Sequence, residues 1–219
     1  MIVNDVVLKP AHRARITKQL DTVKQEMLDA PGGLNEIVYV DECVFTYSTE
    51  LKLAFSNPHE NIIADKQKTS MKSKAAVAAI SAERGLIFLK LYPKSVDKFK
   101  FIEYCKLLSK KLGGKPFSMF LDNLGAHHAK ETKAACQELK INMIFNAAYQ
   151  HDMNPIEMVF NLVKLRFKQA KLHAITNKLP FDNDALIVKA FNQVTKEQVK
   201  RMCKKSWEAF ENVAIFAIQ

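Results

Sequence analysis

The sequence predicts an α/β fold: a mixed sheet flanked by helices, with extra helices towards the C-terminus. Three observations carry that expectation. Residues 36–40, 117–121 and 141–145 are short, near-continuous apolar runs rich in β-branched and aromatic side chains, the pattern of strands buried on both faces. Helical periodicity fills the segments between the later runs, as crossovers between parallel strands require. Beyond residue 154 the pattern is helical almost without interruption.

The elements follow in order. Ile16, Leu20, Val23 and Met27 recur at helical spacing until Pro31-Gly32-Gly33, which sets off residues 1–33 as a basic helical N-terminal segment. The strand at 36–40 ends in Asp41-Glu42, and the carboxyl end of a strand is where open α/β sheets place ligands. Residues 74–80 and 85–92 read as a hairpin turning at Glu83-Arg84-Gly85. Ser95 is the expected cap of a helix with Val96, Phe99, Ile102, Cys105, Leu108 and Leu112 on one stripe, closed by Gly113-Gly114. The strand at 117–121 delivers a second acid, Asp122, and a helix at 129–139 leads to the strand at 141–145.

Asn154-Pro155 then opens a helix, because Asn caps well and Pro suits the first helical position; Glu157 falls in its first turn. Ile156, Val159, Phe160, Val163 and Phe167 give this helix an apolar face, with Lys164, Arg166, Lys168 and Lys171 directed elsewhere. After Leu179-Pro180 two further helices are expected near 182–193 and 195–213, the second opened by a capping box from Thr195 to Gln198. Phe99, Phe101, Tyr104, Phe117, Phe120 and Trp207 read as packing rather than as stacking platforms for bases.

Composition narrows the function. With 219 residues, 48% of them hydrophobic, the chain can bury one substantial core. No apolar run approaches the roughly 20 residues that cross a bilayer, so no membrane partner is expected. The basic start lacks the apolar block of a secretory signal and reads as mature protein. Cys43, Cys105, Cys136 and Cys203 are scattered without zinc-site spacing, which suits a reduced intracellular location, the nucleus in a eukaryote. A net charge of +10 favours a polyanion. The excess is concentrated between Phe160 and Lys205, where eleven Lys or Arg residues face three acids.

Three acids, Asp41, Asp122 and Glu157, thus arrive from two strand ends and one helix start. Carboxylates are hard oxygen ligands suited to Mg²⁺ or Mn²⁺, and two such ions roughly 3.5–4 Å apart can activate an attacking oxygen and stabilise a leaving one. Asp41 is the candidate to bridge both ions, with Asp122 and Glu157 completing one each. Glu42, Asn123, His127 and Asn154 are candidates for orienting these acids, and Lys164, Arg166, Lys168 and Lys171 for a DNA backbone track.

The stretches Val38-Tyr39-Val40-Asp41-Glu42, Phe120-Leu121-Asp122-Asn123 with His127, and Tyr149-Gln150-His151-Asp152-Met153-Asn154-Pro155-Ile156-Glu157 resemble the three signature blocks of the Tc1/mariner and IS630-like DDE transposase superfamily. The 34 residues between Asp122 and Glu157 match the family's spacing. The resemblance implies a ribonuclease H-like catalytic domain over 34–219, a Mg²⁺-dependent site, DNA as partner, cleavage of an element end and joining of the new 3′-hydroxyl to target DNA. It also implies a homodimer that pairs two ends, and helix-turn-helix modules before the catalytic domain. Only forty residues precede Asp41, so a separate DNA-binding chain is one expectation and a domesticated, non-transposing subunit another. A nuclease of the same fold that cuts without joining is the third. Two departures stand out: Ala147-Ala148-Tyr149-Gln150-His151 replaces a proline-rich loop, and Phe160 stands where the family has Trp.

Overall fold

The computed structural model describes residues 10–46, 72–147, 150 and 153–216; Tyr149, His151 and Asp152 of the third signature block lie outside it. Their five-stranded sheet has the order β3-β2-β1-β4-β5. The strands are β1 (Val38–Phe45), β2 (Lys74–Ser81), β3 (Gly85–Pro93), β4 (Phe117–Leu121) and β5 (Ile141–Phe145). The first three form an antiparallel meander, while β4 and β5 run parallel to β1. The helices are α1 (Pro10–Leu28), α2 (Lys98–Lys111), α3 (Gly125–His128), α4 (Lys130–Glu138), α5 (Pro155–Thr176), α6 (Asn183–Asn192) and α7 (Lys196–Phe216).

Strand alternation splits the core into two layers. Tyr39, Cys43 and Phe45 of β1 join Phe120 of β4, Val159, Phe160 and Phe167 of α5, Phe191 of α6 and Ile16, Leu20, Val23 and Met27 of α1. Val38 and Val40 face the other way, onto Met119, Leu121, Phe101, Tyr104 and Leu108. Edge-on aromatic contacts tie the first layer: the Phe45 ring lies 5.4 Å from Phe167 and 6.5 Å from Phe191. The architecture is therefore a mixed sheet with helices on both faces, as the sequence pattern predicted.

Turn chemistry holds the hairpin. Ser81 Oγ accepts the Arg84 N–H at 3.1 Å, and Gly85 adopts φ +71°. A Cβ there would sit 3.1 Å from Lys196 Cα, so glycine serves both the turn and the approach of α7. The capping box of α7 is reciprocal: Thr195 N–H donates to Gln198 Oε1 at 3.1 Å, and Gln198 N–H to Thr195 Oγ1 at 3.2 Å.

Three local expectations are corrected. The cap of α2 is Asp97, not Ser95; its carboxylate accepts the N–H groups of Phe99 and Lys100, both at 3.0 Å. The helix packs on the sheet through Phe101, Tyr104, Cys105, Leu108 and Ser109, which leaves Phe99 66% exposed rather than in the core. And β1 does not stop at Asp41. Antiparallel pairing with β2 continues through Asp41↔Ala78 to Phe45↔Lys74, so the acid lies inside the strand.

Candidate active site

Two acids meet at the seam between the antiparallel and parallel halves of the sheet. Pairing of β1 with β4 covers Val38↔Met119 and Tyr39↔Phe120. Counting two steps further along the same register brings Asp41 level with Asp122, on strands that lie about 4.8 Å apart. Because β4 ends at Leu121 while β1 continues, β1 around Asp41 has no strand partner on that side among the described residues. Both acids share the strand parity of Tyr39 and Phe120, whose side chains pack in the α5 layer, and α5 carries Glu157 in its first turn.

Asp41 is 8% exposed, a costly place for a charge. Its Oδ1 accepts the Glu42 N–H at 2.7 Å, and its Oδ2 accepts Asn154 Nδ2 at 2.9 Å. Burial, reinforced by the charges of Asp122 and then Glu157, pushes its carboxyl up to about 7. Asn154 occupies the N-cap position of α5 yet makes no side-chain cap bond, and its buried Oδ1 has no hydrogen-bond partner. Its backbone oxygen accepts the Glu157 N–H at 3.1 Å. One residue therefore links two of the three acids. Ser206 of α7, which carried no signal in the sequence, donates its hydroxyl to the Met153 carbonyl at 2.6 Å and anchors the residue before Asn154.

Asp122 is held from the opposite layer. His127 Nδ1 lies 2.8 Å from Asp122 Oδ1, which also accepts the Leu124 N–H at 3.1 Å. His127 is 3% exposed, its ring 4.3 Å from that of Phe101. Asn123 Nδ2 donates to the Asn146 carbonyl at 2.5 Å, tying the β4 exit to the β5 exit. His128, unassigned from sequence, lies 3.2 Å from Asn123 Oδ1 and stacks on Phe145 at 4.1 Å. Glu42 orients Asp41 through its backbone; its own carboxylate accepts the Val96 N–H on the α2 side and is raised by burial.

The basic residues of α5 do not form one surface. Seven and eleven residues beyond Glu157, Lys164 and Lys168 fall on its side of the helix, since both offsets are close to whole turns. Lys164 is close enough to Cys43, two residues along β1 from Asp41, to act on its thiol electrostatically. Arg166 lies across the helix and donates to Gln198 of α7 at 3.3 Å. Lys171 is 2% exposed, with its ammonium 5.6 Å from the Phe181 ring. Arg166 and Lys171 thus make contacts within the chain, on other sides of the helix from Lys164 and Lys168.

Among the described residues, no three His, Cys, Asp or Glu side chains, Asp41, Asp122 and Glu157 included, are gathered closely enough to hold a metal ion as they stand. The donor chemistry nevertheless fits a hard divalent cation. A carboxylate raised first by burial and then by two neighbouring carboxylates is an arrangement that positive charge would relieve, and oxygen ligands match Mg²⁺ or Mn²⁺.

A family model described as DDE superfamily endonuclease matches residues 36–179. Comparison with curated proteins finds no match. Among solved structures, the chain resembles the Mos1 transposase paired-end complex with left transposon end, with TM-score 0.68 and 16% identity over 99% of this chain and 65% of that one. It also resembles the Mos1 transposase catalytic domain with raltegravir and Mn, with TM-score 0.64 and 15% identity over 96% of both chains. A third structure, the catalytic domain of Mos1 mariner transposase, gives TM-score 0.62 and 16% identity over 96% of this chain and 95% of that one. The chain thus spans about two thirds of the longer relative and nearly all of its catalytic domain. These likenesses give the ribonuclease H-like fold, and the match over 36–179 gives the lineage: the chain belongs to the DDE superfamily endonucleases.

Proposed function

We propose that this chain is the catalytic domain of a Tc1/mariner-type transposase, which cleaves a phosphodiester at an element end and joins the resulting 3′-hydroxyl to target DNA. The observation that carries the reading is the coupling of Asp41, level with Asp122 across the seam, to the head of the Glu157 helix through Asn154. Asp41, Asp122 and Glu157 would hold two divalent ions, Asp41 contacting both. When bound, the ions would activate the attacking oxygen and stabilise the leaving one. Mos1 catalytic-domain structures include ones with Mn and with Mg, which supports this choice of metal.

The chain's own residues supply orientation. Asn154 and the Glu42 N–H fix the two oxygens of Asp41, and His127 and the Leu124 N–H fix Asp122. Lys164 and Lys168, on the Glu157 side of α5, are the proposed contacts to the DNA backbone. The partner is DNA, held by a pair of copies of this chain, in an intracellular compartment.

The test is a nicking and strand-transfer assay on duplex and pre-nicked element ends, with Mg²⁺ or Mn²⁺. Asp41→Asn, Asp122→Asn and Glu157→Gln should each abolish both steps while circular dichroism stays unchanged. Cleavage without joining would make the chain a nuclease. No cleavage with either ion, and no ion binding by calorimetry, would remove the catalytic reading.

A further inference from the structure

Asn146 leaves β5 one step beyond the Leu121↔Phe145 pair, level with Asp122 on the neighbouring strand. Its backbone brackets that acid: the N–H donates to the Leu121 carbonyl at 2.8 Å, and the carbonyl accepts Asn123 Nδ2 at 2.5 Å. Its side chain reaches forward instead. Nδ2 donates to the Gln150 carbonyl at 2.6 Å, and the same carbonyl accepts the Met153 N–H at 3.2 Å. Met153 directly precedes Asn154, and Ser206 of α7 holds the Met153 carbonyl at 2.6 Å. A line of hydrogen bonds therefore runs from both flanks of Asp122, through Asn146 and Gln150, to the head of the helix that carries Glu157.

Asn146 is a costly choice for this place. It is 7% exposed and its Oδ1 is buried without a partner, a penalty that an apolar side chain of similar size would avoid. What the amide gives in return is its donor. Between Asn146 and Gln150 the chain reads Ala147-Ala148-Tyr149, with no proline ring to fix φ. Restraint on the path from β5 to α5 then falls to side-chain hydrogen bonds, and the Asn146 amide makes one across that stretch.

We propose that Asn146 is a positioning residue for the carboxylate edge. It sets the backbone that carries Glu157 against the backbone that carries Asp122, and Ser206 pins the far end of the same line. Closure about an ion is left to the acid side chains. The inference rests on the metal-dependent reading of Asp41, Asp122 and Glu157, but the bracing itself is measurable without metal or DNA.

Asn146→Leu removes the donor and the orphaned oxygen together, and the Gln150 carbonyl keeps the Met153 N–H, so the variant should melt close to wild type. In the metal-free protein, amide hydrogen exchange followed by NMR should quicken roughly fivefold at Met153 and Glu157, the worth of one net hydrogen bond, and stay unchanged at Val199 of α7. Calorimetry should show Mn²⁺ affinity lowered roughly tenfold, the lower end of the usual cost of losing a group that orients a metal ligand. Ser206→Ala should act likewise, whereas Ser206→Thr, which keeps the hydroxyl, should bind as wild type. Asn146→Leu combined with Ser206→Ala should lose less than the product of the two single losses, because both act on one backbone link. Should leucine disturb the packing, Asn146→Ala makes the same test. Unchanged exchange at Met153 and Glu157 overturns the proposal, as does wild-type Mn²⁺ affinity in a variant whose exchange has quickened; in either case Mn²⁺ binding by the wild type keeps the catalytic reading. Quickened exchange in the variant, with no Mn²⁺ bound by the wild type, would sink the catalytic reading and leave the brace standing.

Discussion

The two helix starts on either side of β1 obey different rules. At α2, Asp97 does what an N-cap does: its carboxylate accepts two backbone N–H groups, which hold its pKa below the ordinary range. At α5, Asn154 has the right residue type and position but leaves the cap bond unmade and gives its amide to Asp41. An N-cap bond is worth about 1 kcal/mol, and the orphaned Oδ1 of Asn154 adds a further cost. Where a sequence forgoes a local gain, the compensation is sought at a functional site. Here it is a fixed Asp41.

The largest expected consequence is in the pH dependence of stability. The Asp41 carboxyl is raised from an ordinary 3.8 to about 7, so between those values the folded chain keeps a proton that the unfolded chain has lost. Stability of the metal-free protein should therefore fall as pH rises from about 4 to about 7, and the penalty should be complete above 7. A displacement of this size corresponds to an upper bound of roughly 4 kcal/mol. Denaturant melts from pH 4 to 8 should show this decline in the wild type and lose it in Asp41→Asn. At pH 8, Mn²⁺ should stabilise the wild type and not the variant. Identical pH profiles for the two proteins would show that Asp41 carries no such burden. The shift at Asp97 has the opposite sign: its contribution is present above the unfolded pKa and fades as pH falls.

Asn154→Ala comes next. If the amide orients Asp41, losing it should weaken Mn²⁺ binding by roughly 10–100-fold, the usual cost of removing a partner that orients a metal ligand. Calorimetry on the folded, metal-free variant measures this apart from turnover. Asn154→Ser, which restores a cap without reaching Asp41, should recover melting temperature but not affinity. Recovery of both would return Asn154 to an ordinary cap.

These two residues also mark how far the sequence could be read. The strands and their order were legible because burial on both sheet faces writes itself as continuous apolar runs, and the lineage because a resemblance spanned all three blocks. The continuation of β1 to Phe45 was not, since its pairing partner β2 begins only at Lys74 and Asp41 looks like a strand end. The α2 cap was misread by two residues, as Ser95 and Asp97 are both good caps and only packing chooses between them. The Asn154–Asp41 bond spans 113 positions and has no local signature. Lys171 and Arg166 looked like surface charge, because a basic residue at the edge of an apolar stripe carries no mark of what it packs against.

The two sides of α5 offer a smaller contrast. Lys164→Ala and Lys168→Ala should each lower the slope of log affinity against log salt for duplex DNA by about 0.9 if each neutralises one phosphate. Arg166→Ala should leave that slope unchanged and instead destabilise the α5–α7 contact made through Gln198. Equal slopes for all three variants would remove the distinction between a DNA side and a packing side.

The smallest effect should come from Asp97→Ala, and it completes the contrast between the helix starts. The loss of two N–H acceptor contacts from an exposed cap should lower the melting temperature by roughly 2–4 °C. Nicking and Mn²⁺ affinity should not change. The reason lies in the route by which α2 could reach the acids: the Val96 N–H, one residue before Asp97, holds the Glu42 carboxylate, but Asp41 depends on the Glu42 backbone, which β1–β2 pairing fixes independently through Glu42↔Val77. Fraying of the first turn of α2 should therefore release a side chain on one face of β1 without moving the carboxylate on the other. Asp97→Asn, which can still cap, should melt close to wild type. If Asp97→Ala instead reduced Mn²⁺ affinity severalfold while Asp97→Asn did not, the two helix starts would be coupled through β1, and Glu42 would join Asn154 as a residue that positions Asp41.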